Sequence, residues 1–347
     1  MLTIDSLFTE LSKAYKNNFP FVAFRKPHLN NVHAFFQKDA LLHKVTTFKE
    51  QGFIFAPFDA HQSAYVLEVD LEISATYNFK EVRERNSFDE TSTAQKKHVK
   101  LIEKTISFIK ENKISKIVVA RPKEVELKAT FIEVFQQLLT KYPTAYVYVW
   151  FHPKVGMWLG ATPETLLEIR EDNFKTMSLA GTQKFKGSLD VNWGVKEIEE
   201  QQMVTDYVLS NLKEVTNTLE NSDVKTVKAG SLLHLRTDIK GSLKENFSLE
   251  KLIKTLHPTP AVCGFPEALA KEFILKNEGF DRSFYTGYLG EFNRNNHSSL
   301  FVNLRCMELL NSKKVRLYVG GGVTVKSNAY DEWLETVAKT RTIESSL

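Results

Sequence analysis

The pattern of apolar and polar positions divides the 347-residue chain into clusters of strands and helices. Residues 2 to 16 carry Leu7, Leu11, Ala14 and Tyr15 at helical spacing. Strand-like runs follow at Phe21–Phe24, Val32–Gln37, Phe53–Phe58 and Ala64–Ile73. Glu81–Ser92 is polar and charged and reads as a linker or loop. A helix is predicted over Thr93–Glu111, with Val99, Ile102, Ile106 and Ile109 on one side. Next come a strand (Lys116–Leu127), a helix (Thr130–Lys141), and strands at Ala145–His152, Met157–Ala161, Leu166–Arg170 and Phe174–Ala180. A long helix is predicted over Asn192–Leu219, then strands at Val224–Lys228 and Ser231–Lys240 and short helices at Leu249–Leu256 and Glu267–Lys276. Tyr285–Phe292, Ser299–Leu310 and Lys313–Gly320 read as strands, and Ala329–Ile343 as a final helix. Strands and helices cluster rather than strictly alternate. That predicts an α/β (α+β) protein with a mixed or antiparallel sheet and helices outside it.

Composition narrows the function classes. There are 46 Lys+Arg against 42 Asp+Glu, a formal charge of +4, too small to imply a nucleic-acid backbone binder. Two cysteines build neither a disulfide framework nor a four-thiolate zinc site. No apolar run approaches the roughly 20 residues that span a bilayer, so no membrane is expected. The N-terminus is amphipathic rather than signal-like, which favours a cytoplasmic protein. At about 150 residues per domain, the length suggests two domains. The 25 Phe against 15 Gly and 10 Pro suggest a large core with few loops.

Several polar residues stand in apolar settings. In the long helix, Glu197 and Glu200 continue the stripe of Val204, Tyr207, Val208, Leu212 and Val215, while Ile198 points away. Two readings stay open: acids that favour the helix N-terminus and reach solvent, or acids met by a cation. In the last helix Glu332, Glu335 and Lys339 share a face, either as a solvated ion pair or beside a ligand approaching the glycines that end the strand Tyr318–Val323. Carboxylates from two helices would suit Mg²⁺. Lys116 opens an apolar strand, either exposed or as a desolvated base. Glu164 follows Pro163, either as a turn acid or as a general acid with a raised pKa. Alternation places Phe301, Asn303 and Arg305 on one strand face, where the guanidinium could meet a carboxylate. His234 reads as a core histidine or a ligand contact. Spacing alone supports an α/β or α+β enzyme acting on an anionic small molecule, with carboxylates suited to Mg²⁺.

Taken in order, Lys116–Arg121, Gly160–Leu167, Leu179–Thr182, His257–Ala261, Tyr285–Gly287, Leu304–Cys306, Gly320–Gly322 and Glu332–Thr336 resemble the chorismate-utilising enzymes, and among them the isochorismate synthases. The resemblance covers roughly residues 93 to 345 and implies a single large α/β/α sandwich-like domain. Residues 1–92 are then a variable N-terminal portion packed on a catalytic core at 93–347, in place of two separate domains. It implies Mg²⁺ held by Glu200 and Glu335, with Glu197 and Glu332 acting directly or through water. It implies Lys116 as the base that activates water and Glu164 as the acid that protonates the departing hydroxyl. Arg305, Tyr285 and Gly320, Gly321 and Gly322 match the pocket for the enolpyruvyl carboxylate. Gly181, Thr182, His234 and Lys339 match further substrate-side positions. Amine-transferring relatives lack a lysine at the Lys116 position, so the implied activity is an isomerase (hydroxymutase) with water as nucleophile. Gln201 departs from the family, which often has His or Asn there. The expected partner is chorismate, with no nucleic acid and a monomeric chain. Menaquinone biosynthesis is the expected pathway, with siderophore biosynthesis, salicylate synthesis and non-catalytic chorismate binding as alternatives.

Overall fold

The computed structural model describes residues 3–78, 88–230, 232–245 and 247–347. In chain order the elements are α1 (Ile4–Lys16), β1 (Phe21–Arg25), β2 (Asn31–Phe36), β3 (His43–Lys44), β4 (Gly52–Ala56), β5 (Tyr65–Leu67) and β6 (Leu71–Thr76). Then follow α2 (Ser92–Asn112), β7 (Lys116–Glu126), α3 (Phe131–Lys141), β8 (Tyr146–His152), β9 (Gly156–Thr162), β10 (Thr165–Arg170), β11 (Asn173–Lys184) and α4 (Val195–Leu212). The last third holds β12 (Thr216–Asn221), β13 (Lys225–Ala229), β14 (Leu232–Leu243), α5 (Leu249–Leu256), β15 (Gly264–Phe265), α6 (Glu267–Asn277), β16 (Tyr288–Arg294), β17 (His297–Val302), β18 (Cys306–Asn311), β19 (Lys314–Val323) and α7 (Ala329–Glu344).

The strands form two sheets, ordered β15-β7-β19-β18-β9-β8-β1-β2-β6 and β12-β14-β11-β10-β17-β16-β4-β5-β3, with β13 also paired to β14. Every strand pairing among the described residues is antiparallel. The sheets face each other across an aromatic core that includes Phe24, Tyr148 and Trp158 from the first and Phe55, Leu289 and Phe301 from the second. Ring stacking of Phe55 on Trp150 and of Tyr146 on Phe301 ties them together. Helices cover the outer faces. α1 and α3 bury Leu7, Leu11, Phe135 and Leu138 against the first sheet. α4 and α5 bury Val208, Leu212 and Leu256 against the second. α2 and α6 bury Ile102, Ile109 and Phe273 over β7. Strands from the first 76 residues thus complete one end of both sheets.

The helix starts follow local chemistry. Thr3, Thr91, Thr130, Ser248 and Asn328 each accept a backbone N–H from the first turn of the helix they open. Thr130 and Glu133 close a reciprocal capping box on α3.

Several sequence-based expectations change. The helix predicted to Leu219 stops at Leu212, because Thr216 and its neighbours pair instead with the edge of β14. The run Ala64–Ile73 breaks into β5 and β6, which belong to different sheets. Ser299–Leu310 likewise breaks into β17 and β18, and the chain crosses from one sheet to the other at Asn303–Arg305. Arg305 takes a left-handed backbone (φ 48°), so the alternation that put Phe301, Asn303 and Arg305 on one face does not hold. Phe301 enters the aromatic core, and Arg305 turns towards Ala229 and His234. The strand predicted at Lys313–Gly320 runs on to Val323, so all three glycines, at the end of β19, pair with Ala120, Val119 and Val118 of β7. Most of the linker predicted at Glu81–Ser92 lies outside the described residues. Glu90, which is described, pairs with Arg121 and Lys123.

Candidate active site

A cleft opens where β7 and β19 of the first sheet face β11 and β14 of the second, with α4 and α7 at its rim. Its wall includes Glu164, Gly181, Thr182, Glu200, His234, Tyr285, Arg305, the three glycines, Glu335 and Lys339. These residues are separated by up to 175 positions in sequence, and the sheet order brings them together.

Lys116 opens β7 and is 1% exposed. Its Nζ donates to Glu200 Oε1 at 2.6 Å. Burial alone pushes the Glu200 carboxyl upward, but the Lys116 ammonium and its hydrogen bond more than offset this and hold it below the ordinary value. Gly322 leaves the room for this pair. A Cβ there would stand 2.6 Å from Lys116 Cε and 3.0 Å from Glu200 Oε1. Gly320 likewise gives way to Tyr285, whose hydroxyl would be 3.0 Å from an added Cβ.

Glu164 is 3% exposed, on the turn between β9 and β10. Its backbone is fastened on both sides: its N–H meets Thr162 Oγ1, and its C=O accepts from Val302 N–H at 3.0 Å. Burial pushes its carboxyl up to about 8, against the pull of the Lys116 charge. It is therefore protonated at neutral pH, the state a proton donor needs.

Arg305 and His234 share one part of the cleft wall. Arg305 Nη1 donates to Ala229 O at 2.8 Å, and its Nη2 lies 2.8 Å from His234 Nε2. A guanidinium only donates, so His234 Nε2 accepts and its Nδ1–H donates to Gly181 O at 2.8 Å. The imidazole is neutral: burial and the Arg305 charge lower its pKa to about 3. Gly181 is needed in this contact, since it holds φ +67° and an added Cβ would press within 3.2 Å of Glu197 Cβ. Lys339 reaches Gly320 O at 3.1 Å while donating to Glu335 Oε1 at 2.6 Å.

The acids separate into two groups. Glu332 and Glu335 lie across Gly321, each with one oxygen 3.7 Å from the point where a Gly321 Cβ would stand. Glu200 approaches the next glycine from α4. Glu197 stands apart, beside Gly181, Trp193 and Gly194, and is not part of the cleft wall. Among the described residues, no group of three or more His, Cys, Asp or Glu side chains encloses a metal by itself. The donor set still fits a divalent ion that retains water. It is all carboxylate, the space over Gly321 is one that a Cβ would fill, and the Glu332 carboxyl is raised by burial and by the Glu335 charge. Sequence reasoning missed Lys196, which donates to Glu332 Oε1 at 2.5 Å beside Ser327 at 2.6 Å. Its signal was its place one residue before the acids of α4.

The comparisons agree with this architecture. The family model for chorismate binding enzymes matches residues 59–347. The chain is 35% identical to isochorismate synthase DhbC of Bacillus subtilis (strain 168) over 195 residues, 53% of this chain and 49% of that one. It is 28% identical to isochorismate synthase EntC of Escherichia coli (strain K12) over 276 residues, 76% of this chain and 68% of that one. The match thus spans about half of the first relative and about two thirds of the second. The DhbC structure from Bacillus anthracis superimposes with a TM-score of 0.81 at 25% identity, covering 98% of this chain and 99% of that one. With two facing antiparallel sheets and a cleft of buried acid, lysine and arginine between them, the chain belongs to the chorismate binding enzyme family.

Proposed function

We propose that the protein converts chorismate to isochorismate, a hydroxymutase reaction in which water attacks C2 and the C4 hydroxyl leaves. One observation carries the reading: a neutral buried carboxylic acid, Glu164, lines the cleft together with Arg305, and a buried lysine, Lys116, reaches the same cleft through its bond to Glu200 on the wall. A binding protein has no need for the acid and the base.

In this reading Arg305, fixed by His234 and Ala229, takes the enolpyruvyl carboxylate, with Tyr285 and the β19 backbone beside it. Lys116 acts as the free amine, having shed the proton it shares with Glu200, and takes a proton from water. Glu164 gives its proton to the C4 hydroxyl as that group departs. One water enters and one leaves, so the ring is isomerised without redox change. The two residues then exchange a proton with solvent to reset. Mg²⁺ would be held by Glu200 and Glu335, with Glu332 directly or through water, and would supply charge to draw electron density toward the ring carboxylate. The Glu197 carboxylate turns to Gly194 at the start of α4, so in this reading it would act through water.

The test is product analysis of purified protein with chorismate, with and without Mg²⁺. Isochorismate formed only with the metal is expected. Absence of isochorismate overturns the reading, and salicylate with pyruvate replaces it by a pyruvate-eliminating one. The pathway assignment is menaquinone biosynthesis. A strain lacking the gene is expected to recover growth on a menaquinone precursor, not on a siderophore.

A further inference from the structure

β7 carries Lys116 at its start, and its outer edge is short of a partner. β15 is two residues long and pairs only at Ile117↔Gly264 and Lys116↔Phe265. Val118 N–H adds a bond to Cys263 O at 2.8 Å, and there the ladder ends. The next two groups on that edge are Val118 C=O and Ala120 N–H. Buried backbone groups must be matched. Here the matches are side chains: Arg282 Nη2 donates to Val118 O at 2.8 Å, and Ala120 N–H donates to Glu278 Oε1 at 2.7 Å. Arg282 Nε donates to Glu278 Oε2 at 2.8 Å, and both residues are buried.

The same guanidinium also holds the opposite side of the cleft. Its Nη1 donates to Val262 O at 2.9 Å and to Thr286 Oγ1 at 3.2 Å. Thr286 adopts φ 61°, a left-handed backbone that a β-branched residue keeps only when its surroundings hold it there. Val118, Val262 and Thr286 all line the cleft. A buried ion pair is weak support for stability, since apolar residues often do as well. What it supplies is direction: the planar fork reaches five acceptor atoms on four residues at fixed angles.

We propose that Glu278 and Arg282 are positioning residues: their ion pair continues the β7 ladder in place of a strand and fixes Lys116 relative to the Tyr285–Thr286 turn. The proposal rests on the chorismate reading, in which Lys116 must meet water at one point of the ring. Neither residue touches the reacting atoms. An ångström of misplacement costs such a reaction on the order of a hundredfold.

The test uses the full chain with Arg282→Lys, Glu278→Gln and Glu278→Ala. Lysine keeps the charge but cannot reach Val118 O, Val262 O and Glu278 together. The expected result is kcat lower by about 10- to 100-fold in Arg282→Lys, with KM for chorismate within about threefold. Glu278→Gln, which keeps an acceptor for Ala120 N–H, retains more activity than Glu278→Ala. Amide exchange in the segment 116–120 speeds up in all three. Folded variants with kcat and KM within twofold of wild type overturn the proposal, as does a loss confined to KM. If Arg282→Lys does not fold, the Glu278→Gln and Glu278→Ala pair decides by the same criteria. Wild-type protein that makes no isochorismate defeats the parent reading instead, and is told apart by that control alone.

Discussion

Glu164 is 3% exposed, and its carboxyl is pushed up to about 8 by burial. Between the ordinary value of 4.5 and that raised one, the folded chain holds a proton that the unfolded chain has released. Stability from this group therefore falls as pH rises through the window 4.5 to 8. Glu164→Gln should lose roughly 10²- to 10⁴-fold in kcat yet raise Tm, with a larger gain at pH 8 than at pH 5. Calorimetry at the two pH values checks the sign, and a Tm gain that shrinks with pH would refute it. His234 makes a related argument. Its neutral tautomer lets one ring accept from Arg305 and donate to Gly181. His234→Leu removes a charge-assisted bond worth about 1.5–3 kcal/mol, so chorismate Kd should weaken about tenfold or more. His234→Gln, which can both accept and donate, should weaken it less. Equal affinities in equilibrium titration would show that His234 does not orient the guanidinium.

On β19, neighbouring glycines have different tasks. Gly322 faces the Lys116–Glu200 pair, where an added Cβ would stand 2.6 Å from the lysine stem. Gly321 faces Glu332 and Glu335 at an ordinary 3.7 Å. Gly322→Ala should displace Lys116 and lower kcat at any metal concentration. Gly321→Ala should fold with Tm near wild type but need more Mg²⁺ for half-maximal activity, because the methyl occupies the space between two carboxylates. Metal titration of both variants separates the effects, and an unchanged Mg²⁺ requirement in Gly321→Ala would remove that space from the metal site. α7 shows the same logic in a helix. Tyr330 is 53% exposed, whereas Glu332 and Trp333 are each 3% exposed. The acidic face expected to be either solvated or functional is therefore turned inward, and Trp333 beneath it packs on Arg121 at 4.3 Å.

Across the whole molecule, buried histidines and buried carboxyls set opposite pH slopes. Burial lowers His98 to about 3, His234 to about 3 and His257 to about 4, each from an ordinary 6.5. Below pH 6.5 the unfolded chain takes up protons that the folded chain refuses, so stability falls with acid through this window. Glu164 acts the other way, up to about pH 8. Burial also raises Glu278 and Glu332 and lowers His152, so the two sets oppose each other below pH 6.5 and only the carboxyls act above it. Tm should thus decline from pH 6.5 toward pH 8. A Tm that rises over that interval would contradict the burial of these carboxyls.

The sequence alone determined the period of each element, because side-chain direction in a helix or strand depends only on neighbours along the chain. It also singled out Lys116, Glu164, Glu200, Arg305 and Glu335 through short motifs in a fixed order, and the fold brings Glu164, Glu200, Arg305 and Glu335 onto one cleft wall. It misjudged Ser299–Leu310, where alternation continues through residues that in fact leave one sheet and enter the other. It extended α4 to Leu219, because the pull of β14 on Thr216 comes from a partner some 27 residues on. Only the tertiary structure decided which acids meet. Glu197 and Glu200 share a helix face by spacing, yet Glu200 binds Lys116 while the stem of Glu197 packs on Gly181 of β11 and its carboxylate turns to Gly194. The charge states were likewise decided by the fold, since desolvation and distant partners set them. So was the role of Glu278 and Arg282, which look like an ordinary i,i+4 surface pair until the missing strand beside β7 explains their burial.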